Sequence, residues 1–377
     1  PLARPPPARA SRWMLRAQSR AMSTAATASE VAFERRGRVV SIMLTRAKAL
    51  NALTLPMVRD LHSALRRACE DPDVACIVLQ GEGKAFCAGG DVKGVMLAAS
   101  KEPPARGNLA DAFFREEYQL NAAIAISPKP QVSIWDGFCM GGGAGISVHG
   151  KFRIATEKTV FAMPETNIGL FPDVGASHFL SSMPGGLGTY LSLTGARLGA
   201  ADLLYTGLAT HYIPSSSIPS LLSKLELCDG AAHVEEACAM LAEDAGAPPL
   251  AMVRPQIDHC FRHDSVENIL TELRAMDSSE WAEGTLKTLE KMSPTSCKVT
   301  LRLVRQAKGQ TLENCLRAEF RACQRFMQQP SDFFEGIRAA LVDKDKHPFW
   351  NPPTIDGVSE AAVNEYFVPL GERELEF

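Results

Sequence analysis

The chain has 377 residues, 46% of them hydrophobic and 22% charged, which is enough apolar material to bury a core without disulfide staples. Its 40 basic residues nearly match its 43 acidic ones, for a formal charge of -3, which excludes a generally basic nucleic-acid binder and leaves room only for a local cationic patch. No apolar stretch reaches the roughly 18 residues that a membrane-crossing helix needs, so none is expected.

Residues Pro1 to Ser29 contain no acid, while Arg4, Arg9, Arg12, Arg16 and Arg20 are spread through an Ala/Ser/Pro-rich background. That composition is typical of a mitochondrial transit segment, and Arg12 and Arg16 interrupt the only candidate for a secretory apolar region. The C-terminal Glu-Leu-Glu-Phe is not a peroxisomal address, which leaves the mitochondrial matrix as the expected compartment. The ten cysteines include no C-x-x-C pair and sit mostly in apolar or helical patterns, so they read as small hydrophobes in a reducing compartment.

From Val31 two short β runs are predicted, joined by a turn at Gly37. A helix follows, with Thr54 as N-cap, Pro56 in its first turn, Val58, Leu61, Leu65 and Cys69 on one face, and Asp71-Pro72 as its stop. A strand over Ala75 to Gly81 runs into a Gly-rich loop, GEGKAFCAGGD; a helix bearing Phe113, Phe114 and Tyr118 comes next. A second strand, Gln131 to Gly137, runs into a second Gly-rich loop, FCMGGGAG, and the unit recurs at FRIATEKTVFAMPE. Alternating β and α elements predict an α/β architecture. After about Gly195 strand signals fade and helix dominates to about Val342, with surface loops expected at Pro214 to Ser220 and Ala245 to Pro249.

The two Gly-rich loops carry the chemical interest, because backbone N–H groups approach a ligand closely only where side chains are absent. If the Gly90 and Gly142 amides converge, they can hold the oxygen of a carbonyl as it gains charge, aided by a helix starting near Gly142. The plainer alternative is that these glycines only permit tight turns. GEGKAF lacks the spacing of a phosphate-binding loop and MGGGAG does not fit a dinucleotide fingerprint, which excludes nucleotide phosphoryl transfer.

Glu165 and Asp173, in FAMPETNIGLFPDVG, are acids among apolar residues, suited to act as base or nucleophile. Their plainer readings are a surface carboxylate for Glu165 and a cap for a helix starting at Gly175 for Asp173. Of Glu116 and Glu117, one is expected to be merely solvated. His259 and His263 have helical spacing, but Cys260 stands where a zinc-binding H-E-x-x-H motif needs Glu, and His149 reads as a packed structural residue. No metal site is expected.

Taken in order, KAFCAGGD, MGGGAGISVHG and FAMPETNIGLFPDVG resemble the crotonase superfamily of acyl-CoA enzymes. FFREEY, SVHGKFRIATEKTVFAMPET, KMSPTSCKVTLR and DFFEGIRAALVDKD narrow the likeness to the 3-hydroxyisobutyryl-CoA hydrolase family, from about Val31 to Phe377. The resemblance implies a crotonase-like spiral of repeated ββα units over residues 31–210, holding the active site, then a mostly helical region over 211–377, with the transit-like arm over 1–30 expected to be disordered. It implies an oxyanion hole from Gly90 and Gly142, substrate contacts from Glu117, Gly142, Glu165 and Asp173, and catalysis by Glu165 and Asp173. It implies no cofactor beyond the CoA of an acyl-CoA substrate.

Enoyl-CoA hydratases of this superfamily carry a catalytic Glu two positions after their triple glycine, where this chain has Gly145. Hydration would lack one of its two acid/base groups, so hydrolysis of a short hydroxyacyl-CoA thioester, as in valine catabolism, is favoured over hydratase or isomerase chemistry. Ala47 beside Lys48, and Ala176-Ser177-His178, depart from the hydrolase pattern, and Phe171 and Phe179 are expected to shape the acyl pocket. Some relatives of these hydrolases are mitoribosome components, which makes ribosome association the alternative from another class. Homo-oligomerisation stays open.

Overall fold

The computed structural model describes residues 29–276 and 278–377, so the arm over 1–30 lies outside the described residues except for Ser29 and Glu30. β1 (Val31–Arg36) and β2 (Val39–Leu44) form the expected hairpin, with Gly37 at φ +58° in its turn. α1 (Leu55–Glu70) starts where predicted: Thr54 Oγ1 accepts from the Met57 amide, and Val58, Leu61 and Leu65 are buried. β3 (Cys76–Gly81) then pairs in parallel with β2.

The repeating unit is a pair of strands followed by helix. β3 is succeeded by β4 (Ala85–Cys87), α2 (Val92–Ala99) and α3 (Leu109–Ala125). β5 (Gln131–Trp135) is succeeded by β6 (Phe138–Met140) and α4 (Gly142–Val148), and β7 (Phe152–Ala155) by β8 (Val160–Ala162) and a 3-10 turn at Glu165–Ile168. The first strand of each pair joins a sheet ordered β1-β2-β3-β5-β7-β9, antiparallel only at β1-β2; the second joins a parallel sheet ordered β4-β6-β8. This is the spiral of ββα units.

Three strands escape the sequence reading. β4 and β6 fall inside segments read as Gly-rich loops, and β9 (His211–Tyr212) lies beyond the point where strand signals fade. Two or three residues cannot display the alternation that marks a strand; parallel neighbours hold them in place. Alternation is plain in β3, where Ile77 and Leu79 face the large core under the α-helices while Cys76 and Val78 face a smaller core on the other side of the sheet.

The chain continues through α5 (Ala176–Ser181), α6 (Leu187–Thr194), α7 (Ala200–Thr206) and α8 (Ile218–Leu225). The surface loop expected over Pro214 to Ser220 is corrected here, since its last three residues are the first turn of α8, with Pro219 in a position whose missing N–H costs nothing. Then come α9 (Ala231–Ala239), α10 (Pro249–Cys260), α11 (Val266–Ala275), α12 (Glu280–Leu289), α13 (Pro294–Ala307), α14 (Leu312–Phe326), α15 (Asp332–Ile337) and α16 (Glu360–Asn364). α8 and α9 close the smaller core with Leu221, Leu225 and Val234. All ten cysteines are unpaired and all but Cys69 are buried, as small hydrophobes are.

Candidate active site

The two Gly-rich segments meet over a cavity of about 100 Å³ whose lining includes Gly89, Gly90, Gly141, Gly142, Glu117, Glu165 and Asp173. A short parallel bridge pins the first segment: the Leu53 amide donates to the Gly89 carbonyl at 2.8 Å, and the Asp91 amide to the Leu53 carbonyl at 2.7 Å. Gly90 sits between these bonds, and among the described residues its own N–H donates to no protein group. Gly142 opens α4, where a first-turn amide has no intrahelical partner.

The absence of side chains here is a spatial requirement. A Cβ on Gly142 would lie 2.6 Å from Glu117 Oε1 and 3.3 Å from the Gly90 nitrogen, and a Cβ on Gly141, at φ +49°, would lie 2.7 Å from Glu165 Oε1. The second loop therefore presses its backbone against the carboxyl groups, and in the first loop a Cβ on Gly90 would lie 2.9 Å from the Phe113 ring, which goes beyond the needs of a tight turn.

Glu165 begins the 3-10 turn and is 6% exposed, so the surface-carboxylate reading fails. Glu117, on the inner face of α3, is 2% exposed, whereas its neighbour Glu116 pairs with Arg59 at 2.6 Å on the outside. Among the described residues Glu117 Oε1 and Glu165 Oε2 have no hydrogen-bond partner, and the cavity lining contains no Lys, Arg or His. Burial first, then the charge of Asp173, holds the Glu165 carboxyl well above the usual carboxylate range. Burial, then Asp173 and Glu165, does the same to Glu117. Asp173 is pushed up by burial only to about 6, because the Tyr118 hydroxyl donates to its Oδ2 at 2.7 Å and favours the charged form.

The helix-cap reading of Asp173 also fails. Its side chain turns toward Tyr118 and the cavity, and the first-turn amides of α5 are served by Glu319 of α14, which accepts from Gly175 N at 2.7 Å and Ser177 N at 2.9 Å. Between these points Val174 adopts φ +54°, an unusual conformation for a β-branched residue. Its carbonyl lies 2.8 Å from His149 Nε2, and burial pushes the His149 imidazolium down to about 4, so the ring is neutral and packed as expected.

Gly145 is enclosed as well. A Cβ there would lie 2.6 Å from Val174 Cβ and 3.0 Å from Asn121 Nδ2, so the position cannot carry a glutamate in this packing. Phe171 and Phe179 do not line the cavity, correcting that expectation; Phe171 packs on Phe326, and Phe179 meets the edge of His149. The apolar walls are instead Val92, Phe113, Phe114, Met140, Pro164, Ile168 and Leu170. Tyr118 was legible only as a marker of helix; its adjacency to Glu117 was the available signal. His259 and His263 both face Glu272, at 3.0 and 3.3 Å, well apart in sequence from the acids of the cavity.

The arrangement can receive a carbonyl oxygen on two free amides, with three buried carboxyls beside it. Residues 39–367 match the family model for enoyl-CoA hydratase/isomerase. The mitochondrial 3-hydroxyisobutyryl-CoA hydrolase of Dictyostelium discoideum is 44% identical over 359 residues, covering 92% of this chain and 94% of that protein. The enzyme of the same name from Homo sapiens is 42% identical over 360 residues, covering 93% and 91%. Among solved structures, a carnitinyl-CoA dehydratase from Mycobacterium thermoresistibile has a TM-score of 0.86 at 39% identity, covering 92% of this chain and 98% of that one. An enoyl-CoA hydratase from Rhodobacter sphaeroides 2.4.1 has a TM-score of 0.84 at 36% identity, covering 93% and 100%. Similarity of this extent in both sequence and backbone means that the chain belongs to the enoyl-CoA hydratase/isomerase family, in the group of the 3-hydroxyisobutyryl-CoA hydrolases.

Proposed function

We propose that this chain hydrolyses 3-hydroxyisobutyryl-CoA to 3-hydroxyisobutyrate and CoA, with the thioester oxygen held by the Gly90 and Gly142 amides. The observation that carries the reading is the pair of glycines with uncommitted amides lining one cavity with buried, unpaired carboxyls, in a chain whose relatives are named for this hydrolysis.

The order of the acids supports an assignment of roles. Asp173 ionises most readily, at about 6, while Glu165 holds its proton well above the usual range. In the reaction ionised Asp173 receives the proton of Glu165 in an uphill step, and the freed carboxylate either attacks the thioester carbon or deprotonates the attacking water. The oxygen that gains charge is met by the two amides; each such donor is typically worth about 10² to 10³ in rate. As the C–S bond breaks, Asp173 passes the proton to the leaving sulfur. In the nucleophilic route, water then cleaves the resulting anhydride and restores Glu165. Glu117, whose Oε1 lacks a protein partner, is assigned to the acyl hydroxyl or the water.

Hydration is disfavoured by the packing at Gly145, which leaves no place for the second carboxylate that a hydratase needs. The arm composition and the mitochondrial names of the relatives support a matrix location. The test is free-thiol release from 3-hydroxyisobutyryl-CoA by wild type and Glu165→Gln. Wild type releases thiol and Glu165→Gln does not; turnover of an enoyl-CoA without thiol release, or a fully active Glu165→Gln, overturns the reading.

A further inference from the structure

Asp173 lies two residues before Gly175, the N-cap of α5, where an aspartate ordinarily folds its carboxylate back onto nearby backbone amides. Here the carboxylate does not bond the amides of Gly175 and Ser177 that follow it. The Ala176 amide bonds only the backbone carbonyl of Asp173, at 2.9 Å, and the carboxylate points to Tyr118 and the cavity. The acceptor for Gly175 N, Ser177 N and the Ser177 hydroxyl is Glu319, which is 0% exposed and does not line the cavity.

The same helix supports everything else around this turn. Phe320, next to Glu319 on α14, meets the edge of the Tyr118 ring at 6.2 Å, and Phe326 packs against Phe171 at 5.7 Å. α14 therefore touches the chain on both sides of Asp173 and also its hydrogen-bond donor. Val174 holds a left-handed conformation, which persists only where surrounding contacts impose it.

We propose that Glu319 is a positioning residue for the reaction: by capping α5 from α14 it satisfies the amides that would otherwise draw the Asp173 carboxylate away, and so keeps Asp173 turned to the pocket. The proposal rests on the role given to Asp173 above. It also makes the site depend on the helical region over 211–377, which supplies no residue to the cavity lining but sets the direction of one of its acids.

The experiment compares full-length wild type, Glu319→Gln, Ser177→Ala and Asp173→Asn by thiol release from 3-hydroxyisobutyryl-CoA, with melting temperature and circular dichroism measured on each. Gln keeps the size of Glu319 but presents an NH₂ to one of the donors. Glu319→Gln is expected to keep its KM within about threefold and to lose about 10- to 100-fold in kcat, the scale of a misplacement of about 1 Å at a reacting group. Ser177→Ala removes one of the three bonds and is expected to lose about two- to fivefold, again in kcat. A purely structural role would lower the melting temperature while leaving kcat per folded molecule unchanged, and that result overturns the proposal, as does a loss confined to KM. If Glu319→Gln does not fold, Ser177→Ala decides by the same criteria. An active Asp173→Asn would sink the underlying assignment and the proposal together; an inactive Asp173→Asn beside a fully active Glu319→Gln would sink the positioning role alone.

Discussion

Replacing Glu117 by Gln removes an ionisable group from the pocket while keeping its shape, and its effect on stability depends on pH in a calculable way. Glu117 is 2% exposed, its Oε1 has no partner among the described residues, and burial holds its carboxyl well above 4.5. In the unfolded chain the group ionises near its ordinary value of about 4.3. A carboxyl raised by folding binds its proton more tightly in the native state; its contribution favours folding at low pH and is lost as pH climbs from the unfolded value toward the folded one. Each pH unit in that window is worth at most about 1.4 kcal/mol, so the ceiling between about pH 5 and pH 7.5 is about 3.4 kcal/mol. Because the acids share protons and the pocket opens to water, about 1–2 kcal/mol is the expected part of it. In a chain of this size that corresponds to about 1–3 °C. Calorimetric melting of wild type and Glu117→Gln at both pH values, at matched ionic strength, reads it directly: the variant's melting temperature relative to wild type rises by that amount at the higher pH. An offset that is unchanged, or that moves the other way, would show that Glu117 is ionised and compensated in the native state, and would refute the reasoning.

Because the proposed mechanism starts from ionised Asp173, kcat/KM should fall about tenfold per unit below about pH 6, as a pH–rate profile of thiol release would show. Tyr118→Phe removes the hydrogen bond that favours the charged form of Asp173, so the same acid limb moves up by about one unit; a limb that stays put would separate Tyr118 from the titration. Gly145→Ala places a methyl 2.6 Å from Val174 Cβ and should lower stability in urea by about 1–3 kcal/mol, with loss of kcat as Val174 shifts beside Asp173. A stable and fully active Gly145→Ala would contradict the tight packing.

The repeat of strand, glycine loop and helix was legible because each rests on local physics: Thr54 as a cap, Pro56 in a first turn, Gly37 where φ is positive. The acids Glu117, Glu165 and Asp173 were legible by their setting among apolar residues and by motif. What escaped depends on partners distant in sequence. β4 and β6 are strands only because each other and β8 are alongside. Glu319 lies more than a hundred residues from the turn it caps, in a helix whose amphipathic pattern is satisfied by its neighbours alone. Phe171 and Phe179 looked like pocket walls, yet packing sends them to Phe326 and His149.

Relatives of this chain are named for hydrolysis, and well-matched structures are named for hydration or dehydration. The backbone frame common to them serves any acyl-CoA carbonyl, since two amides over a cavity stabilise an oxyanion regardless of the step that generates it. Which reaction follows depends on the acids that reach the acyl chain. In this chain the position after Ala144 is closed by Val174, and Val174 is held there by the turn that carries Asp173. Space for a second hydratase carboxylate and the present placement of Asp173 are therefore mutually exclusive. Opening Gly145 to a glutamate would require moving the turn, and moving the turn would displace Asp173, the acid proposed to protonate the leaving thiol. Gly145→Glu alone should accordingly abolish thiol release without creating hydration of an enoyl-CoA.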